Sequence, residues 1–223
     1  MTIKQVIFDC DGVLIDSEIV AAEVMVPVLR SLGHKLEVHH YLSSYSGKTF
    51  RDIFDKLDID PRVEIEMLIK NVEEKVYHNV QAVAGIIDVV KAVSLPKAVV
   101  SNSGLNQINH AISVIELEDY FPNRFSSALV SKPKPSPEVY LYAAKRLNID
   151  PKNCLVIEDS ISGVTSAVAA GMNVIGFCGG QHITEGHGTK LMEVGAHVIA
   201  TNASELSRLL DKVNKNELDF SNS

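Results

Sequence analysis

Asp9 and Asp11 stand two residues apart in the segment Asp9-Cys10-Asp11-Gly12-Val13-Leu14. They follow the apolar run Gln5-Val6-Ile7-Phe8, which reads as a buried strand, so both carboxylates project to one side at its carboxyl end. Gly12 removes a Cβ where the chain must turn or approach a ligand closely. Three more polar sets lie further along: Ser101-Asn102-Ser103 after Val99-Val100, Lys132-Pro133-Lys134-Pro135 before Ser136-Pro137, and Glu158-Asp159-Ser160 after Leu155-Val156-Ile157. Taken singly each has a bland reading: a helix cap, a solvated loop lysine, a charged turn. Placed together at the strand ends of one sheet, they offer two carboxylate clusters, a hydroxyl and a lysine. Phosphoryl transfer needs such a set, because negative charge on the equatorial oxygens must be positioned and neutralised. Mg²⁺ takes carboxylate oxygens together with water and phosphate oxygen. Asp9 and Asp159, with Glu158 near, supply the ligands, while Lys134 and the Ser101 hydroxyl hold the remaining phosphate oxygens. No P-loop motif is present, so nucleotide phosphates are not cradled by that device.

The elements that must position these groups are legible as a pattern. Gln5–Phe8, Lys97–Val100, Cys154–Ile157, Asn173–Phe177 and His197–Ala200 are short, β-branched runs with little polar alternation, as parallel strands covered on both faces are. Helical spacing lies between them: Gly85 to Val93, Ser136 (an N-cap before Pro137) to about Leu147, a segment starting at Ser160 or Ser162 and stopped by Gly171, and Ser204 to Val213. This alternation predicts a doubly wound α/β parallel sheet. The stretch 17–82 breaks it with candidate helices at Ser17–Leu32, Thr49–Leu57 and Pro61 to about Val80. The last of these carries the stripe Ile65, Leu68, Ile69, Val72 and Val76. Pro27 should kink or split the first. The expected division is an α/β core of residues 1–16 and 83–223 with a helical second domain at 17–82. Residues 214–223 are expected to fray.

Composition narrows the partners. The 223 residues are 46% hydrophobic and 22% charged, enough for a real core, and the net charge is −7. That argues against nucleic acid or an anionic membrane as the main partner. No apolar run approaches a bilayer span, and the N-terminus lacks a signal-peptide pattern. Cys10, Cys154 and Cys178 are odd in number and widely spaced, which predicts free thiols and a reducing, cytoplasmic setting.

The residues singled out resemble the motifs of the haloacid-dehalogenase superfamily, and more closely its β-phosphoglucomutase-like branch. They are Asp9-Cys10-Asp11-Gly12-Val13-Leu14, Ser101-Asn102, Lys134 within Lys134-Pro135-Ser136-Pro137-Glu138-Val139-Tyr140, and Glu158-Asp159-Ser160 with Gly163 following. The resemblance covers nearly the whole chain and equates the helical stretch with that family's cap. It implies a Mg²⁺-dependent phosphatase of small phosphorylated metabolites, acting as a monomer. Asp9 would be the nucleophile that becomes an aspartyl phosphate. Asp11 would protonate the leaving oxygen, deprotonate the attacking water and bind Mg²⁺ through its backbone carbonyl. Ser101 and Lys134 would bind the phosphoryl group, with Lys134 also fixing Asp9 and Asn102 helping to bind substrate. Asp159 would ligate metal and Glu158 would do so directly or through water. A cation beside Asp9 and a less charged surrounding for Asp11 would separate their pKa values as the two roles require. The resemblance to bacterial phosphatases with this Phe-Asp-Cys-Asp-Gly opening implies a sugar-acid phosphate such as 6-phosphogluconate.

Three other functions are weighed against hydrolysis. A sugar-phosphate mutase would carry a cap histidine where counting from Asp9 gives Ala21. A dehalogenase would need neither Asp11 nor Glu158-Asp159. A phospho-accepting signalling module would be shorter, would lack the helical insert and would not keep Asp11. In the cap, Ser46-Gly47-Lys48-Thr49-Phe50-Arg51 aligns with the family's specificity loop, so Gly47, Lys48 and Arg51 are candidate substrate contacts. His182, Glu185 and His187 share a glycine-rich loop, which reads as a loop with common histidines and not as a second metal site. Cys10 reads as a small buried apolar residue, not a catalytic thiol.

Overall fold

Four of the apolar runs become interior strands of a single parallel sheet, and a fifth closes one edge. In the computed structural model, which describes residues 2–45, 48–57, 59, 60, 63–218 and 220, the strands are β1 (Gln5–Phe8), β2 (Lys97–Ser101), β3 (Asn123–Ser126), β4 (Cys154–Glu158), β5 (Asn173–Phe177) and β6 (Val198–Ala200). Their spatial order is β3-β2-β1-β4-β5-β6. Every residue of β1, β4 and β5 is buried. Alternate residues serve opposite faces. Val6, Phe8, Leu155 and Ile157 join one apolar core, and Ile7, Cys154 and Val156 join the other with Val139, Tyr140 and Val164. Both faces are covered, which is why these strands lack polar alternation.

β1 pairs with β2 on one side and β4 on the other, so Phe8 lies opposite both Val99 and Ile157. The chain order reverses at this point. The crevice beyond the strand ends there is where open α/β sheets bind ligands.

β3 went unrecognised in the sequence. Its residues, Asn123-Arg124-Phe125-Ser126, are mostly polar, and only Phe125 and Ser126 are buried. As an edge strand it has one neighbour, β2, and needs no continuous apolar run.

Between β1 and β2 run α1 (Ser17–Ser31), α2 (Val38–Tyr45), α3 (Phe50–Asp55) and α4 (Ile65–Asn79). The expected split at Pro27 does not occur: α1 is continuous, with Pro27 on its exposed side. α2 was not anticipated; of its residues only Tyr41 is buried, so its periodic signal is faint. α4 begins at Ile65 and not at Asp60-Pro61. The Asp60 carbonyl accepts from Val63 N at 2.9 Å in a preceding turn, and the first helical bond joins Leu68 N to Glu64 O at 3.1 Å. Pro61 lies outside the described residues. The stripe of α4 is as expected: Val72 and Val76 are buried in the main core, and Ile65, Leu68 and Ile69, partly buried, pack against that core.

The remaining helices are α5 (Ile86–Ala92), α6 (Leu105–Val114), α7 (Glu138–Leu147), α8 (Ile161–Ala169), α9 (His187–Glu193) and α10 (Ala203–Asn214). Ser160 caps α8 by accepting from Gly163 N at 3.0 Å, and Gly171 follows it at φ +77°. α7 is capped one residue later than expected, with Pro137 and not Ser136 at the N-cap. α9 occupies sequence that read partly as loop. The tail is not simply frayed: Phe220 is buried, with its ring 5.4 Å from that of His197. The two links to the insert run side by side, with Asp16 N bonded to Gln81 O at 2.9 Å and Val83 N to Leu14 O at 3.1 Å. Among the described residues no helix is long and apolar enough to cross a membrane.

Candidate active site

Three strand ends converge on one buried cation. Asp9 follows β1 and extends its ladder, with its backbone N bonded to Ile157 O at 3.0 Å. Lys134 Nζ donates to Asp9 Oδ1 at 2.7 Å, to Glu158 Oε1 at 2.7 Å and to the Val100 carbonyl at 3.0 Å. These contacts use all three ammonium protons, and the Tyr140 ring centroid lies 5.0 Å away. Asn102 Oδ1 accepts from Lys134 N at 3.0 Å, so the Asn102 side chain holds the lysine's backbone in place. Lys132, the other lysine of that segment, is exposed.

Burial alone would lower the Lys134 pKa, but the Asp9 and Glu158 carboxylates override it and hold the ammonium well above its ordinary value. With Lys134 as its only cation among the described residues, Asp9 does not show the lowering that a neighbouring cation was expected to give. Burial, reinforced by Glu158, Asp159 and Asp11, outweighs Lys134 and pushes its carboxyl well above the usual range. One ammonium does not neutralise this cluster. Asp159 is raised for the same reasons, burial first and Glu158 next. Asp9, Glu158 and Asp159 each offer a carboxylate oxygen, and these atoms lie within 4.8 Å of one another. Glu158 Oε2 accepts from both the backbone N and the hydroxyl of Ser160, each at 2.9 Å. A Cβ at Gly163 would overlap the Glu158 carboxylate, and one at Gly12 would overlap that of Asp159.

Asp11 is turned to different company. Its Oδ1 accepts from the Ser17 hydroxyl at 2.8 Å, and its Oδ2 accepts from Ser103 at 2.6 Å and Ser101 at 3.2 Å. Its carboxylate is absent from the metal-capable group. Ser17 was not singled out in the sequence, and Ser103 entered only as a member of the Ser101-Asn102-Ser103 set, without a role of its own. Two histidines that the sequence read as ordinary loop residues come to Asp159. His182 Nε2 lies 2.9 Å from Asp159 Oδ2, and His187 Nε2 lies 2.6 Å from the Asp159 carbonyl. Glu185 is exposed.

A cavity of about 450 Å³ opens above these groups. The insert lines it with Glu18, Ala21, Tyr41, Lys48, Glu73 and Tyr77. Glu73 and Tyr77 are four apart on α4, beside the apolar pair Val72 and Val76, and that spacing was the available signal for them. Lys48 reaches the cavity, with Nζ bonded to the Ser44 carbonyl and 5.3 Å from the Tyr45 ring centroid. Arg51 is not among the lining residues. Its guanidinium pairs with Glu66 and, at 3.8 Å, with Asp55. Gly47 lies outside the described residues.

Residues 6–177 match the family model for haloacid dehalogenase-like hydrolases. The chain is 30% identical over 190 residues to the 6-phosphogluconate phosphatase of Escherichia coli K12, covering 81% of this chain and 85% of that one. It is 28% identical over 218 residues to the phosphorylated carbohydrates phosphatase of Thermotoga maritima, covering 94% and 99%. A crystal structure of a family hydrolase from Deinococcus radiodurans R1, with bound phosphate and sodium, superposes with a TM-score of 0.82 at 26% identity. That match covers 95% of this chain and 96% of the other.

Proposed function

The chain belongs to the haloacid dehalogenase-like hydrolases, and we propose that within them it is a Mg²⁺-dependent phosphatase of small phosphorylated sugars or sugar acids in the cytoplasm. The observation that carries this reading is the buried Lys134 ammonium shared by Asp9 and Glu158, with Asp159 completing an acid cluster too negative for one lysine. The names of the two phosphatase relatives support the substrate class. Residues 17–82 act as a cap over a core of 1–16 and 83–223, with the paired links 14–16 and 81–83 as the hinge.

Asp9 attacks phosphorus, and the ester bond to the sugar oxygen breaks. Asp11, held by three hydroxyls away from the ammonium, gives its proton to that oxygen. It then takes a proton from water as the water attacks the aspartyl phosphate, and Asp9 leaves as carboxylate with inorganic phosphate. Lys134 and Ser101 turn to the phosphoryl oxygens when substrate binds, the ammonium giving up one of its three contacts and the Ser101 hydroxyl its bond to Asp11. The cap excludes water until the sugar has gone. An all-oxygen donor set of Asp9, Asp159, Glu158 and the Asp11 carbonyl suits Mg²⁺, which when bound neutralises charge on the transferring group.

Ala21 lines the cavity with a methyl group where the mutases carry histidine, and this supports water as the acceptor. The test is a panel of phosphorylated metabolites with the full chain and Mg²⁺. Inorganic phosphate should be released steadily, and β-glucose 1-phosphate with a trace of the bisphosphate should give little glucose 6-phosphate. Exhaustive chelation should abolish release, Mg²⁺ should restore it and Ca²⁺ should inhibit. Isomerisation without free phosphate would replace this reading with that of a mutase.

The two cap cations should now separate. Lys48→Ala should lower kcat/KM for the sugar phosphate roughly tenfold, as loss of one charge-assisted contact does. Hydrolysis of p-nitrophenyl phosphate, which is too small to reach Lys48, should stay unchanged. Arg51→Ala should leave both unchanged, because its guanidinium faces Glu66 and Asp55 at the surface. Equal losses on both substrates would take Lys48 out of substrate recognition.

A further inference from the structure

We propose that His182 is a positioning residue for Asp159, fixing its carboxylate in the orientation in which it can ligate a divalent cation. This rests on the reading of Asp159 as a metal ligand. The imidazole is buried and tied through one nitrogen. Its Nε2 lies 2.9 Å from Asp159 Oδ2, and both side chains are more than nine-tenths buried. Its Nδ1 is buried with no hydrogen-bond partner among the described residues. With no partner at Nδ1, Asp159 is the polar tie that orients the ring.

Two glycines make the slot. A Cβ at Gly12 would come within 2.9 Å of His182 Cε1, and one at Gly180 within 2.8 Å of Cε1 and Nδ1. The ring therefore lies against two bare backbone segments, one from the nucleophile loop and one from its own. The loop is anchored on both sides of the histidine. Gln181 N bonds Asp16 Oδ1 at 2.9 Å, and His187, at the start of α9, reaches the Asp159 carbonyl at 2.6 Å.

The chemical consequence follows from charge. With the proton on Nε2, the imidazole donates to Oδ2 and biases the carboxylate toward one rotamer. It adds no competing formal charge to a site that must accept a cation. Hydrogen bonds behind a ligating carboxylate typically set metal affinity by about ten- to a hundredfold.

The experiment measures Mg²⁺ binding by titration calorimetry on the full chain, alongside metal-free melting and steady-state kinetics. His182→Gln places an amide donor near the position of Nε2, whereas His182→Asn places it near Nδ1, short of Asp159. Both are polar and smaller than histidine, so the pair controls for packing. His182→Asn should weaken Mg²⁺ binding about tenfold or more. His182→Gln should stay within about threefold of wild type, with the KM for the phosphoester unchanged in both at saturating Mg²⁺. Equal affinity in the two variants, whether both wild-type or both weakened, would overturn the proposal. Asp159→Asn separates this from the underlying reading. If it binds Mg²⁺ as wild type does, the metal assignment itself fails. If it loses binding while the two His182 variants match each other, only the role of His182 fails.

Discussion

Asp9→Asn should abolish phosphate release while leaving the chain folded. An amide is not a nucleophile, so no aspartyl phosphate can form. The loss in kcat should be on the order of 10⁴-fold or more, as for other enzymes stripped of a nucleophile. The fold should tolerate the change, for an electrostatic reason. Asp9 is buried beside Glu158 and Asp159, and its folded pKa lies well above the ordinary 3.8. An acid whose folded pKa is raised costs stability as pH climbs from its unfolded value through its folded one. The wild-type protein without metal bears that cost at neutral pH and the amide does not, so metal-free Asp9→Asn should melt at or above the wild-type temperature. Single-turnover phosphate release and calorimetric melting read the two halves separately. Retention of more than a trace of turnover would rule out the covalent mechanism. A large drop in melting temperature would contradict the electrostatic account of the site.

Lys134→Met should damage both stability and turnover. The ammonium is shared by Asp9 and Glu158, and removing it leaves two buried carboxylates without a cation. Breaking a buried pair in this way costs about 3–5 kcal/mol. For a chain of this length that is a fall in melting temperature of roughly 6–20 °C. Lys134→Arg should not rescue it. A planar guanidinium cannot place three donors around one point to meet Asp9 Oδ1, Glu158 Oε1 and the Val100 carbonyl, and the Tyr140 ring fills the space beyond. The lysine's folded pKa is raised, so its contribution is fully present below the ordinary 10.5 and is lost as pH rises through the folded value. The deficit of the variant should instead shrink toward acid pH, because a protonated Asp9 needs no cation. Adding Glu158→Gln to Lys134→Met should recover part of the stability and none of the activity. A melting temperature equal to wild type would show that Lys134 is not what holds the acids together.

The sequence by itself determined the sheet's interior and the chemistry at its edge. β1, β2, β4 and β5 were legible because a strand covered on both faces must be an unbroken apolar run. Asp9, Ser101 and Glu158-Asp159 were legible as the polar groups that end such runs. The lysine before α7 could be placed near them by its motif. β3 was not legible, since an edge strand with one neighbour can be polar. Neither was the packing of Phe220, which joins the main apolar core with its ring against His197.

Only the tertiary structure decided which group faces which. Lys134 and Asp9 are 125 residues apart, and no local periodicity encodes that contact. The same holds for the three hydroxyls around Asp11, drawn from α1, from the end of β2 and from the segment after it, and for the two histidines that close on Asp159. Arg51 shows the limit from the other direction. Its sequence neighbours place it in a specificity loop, but Glu66 on the next helix takes its charge. Local sequence sets which elements form and what chemistry each end carries. The burial that raises Asp9, overrides one lysine and leaves the site short of positive charge arises only when strand ends distant in the chain are packed into one crevice.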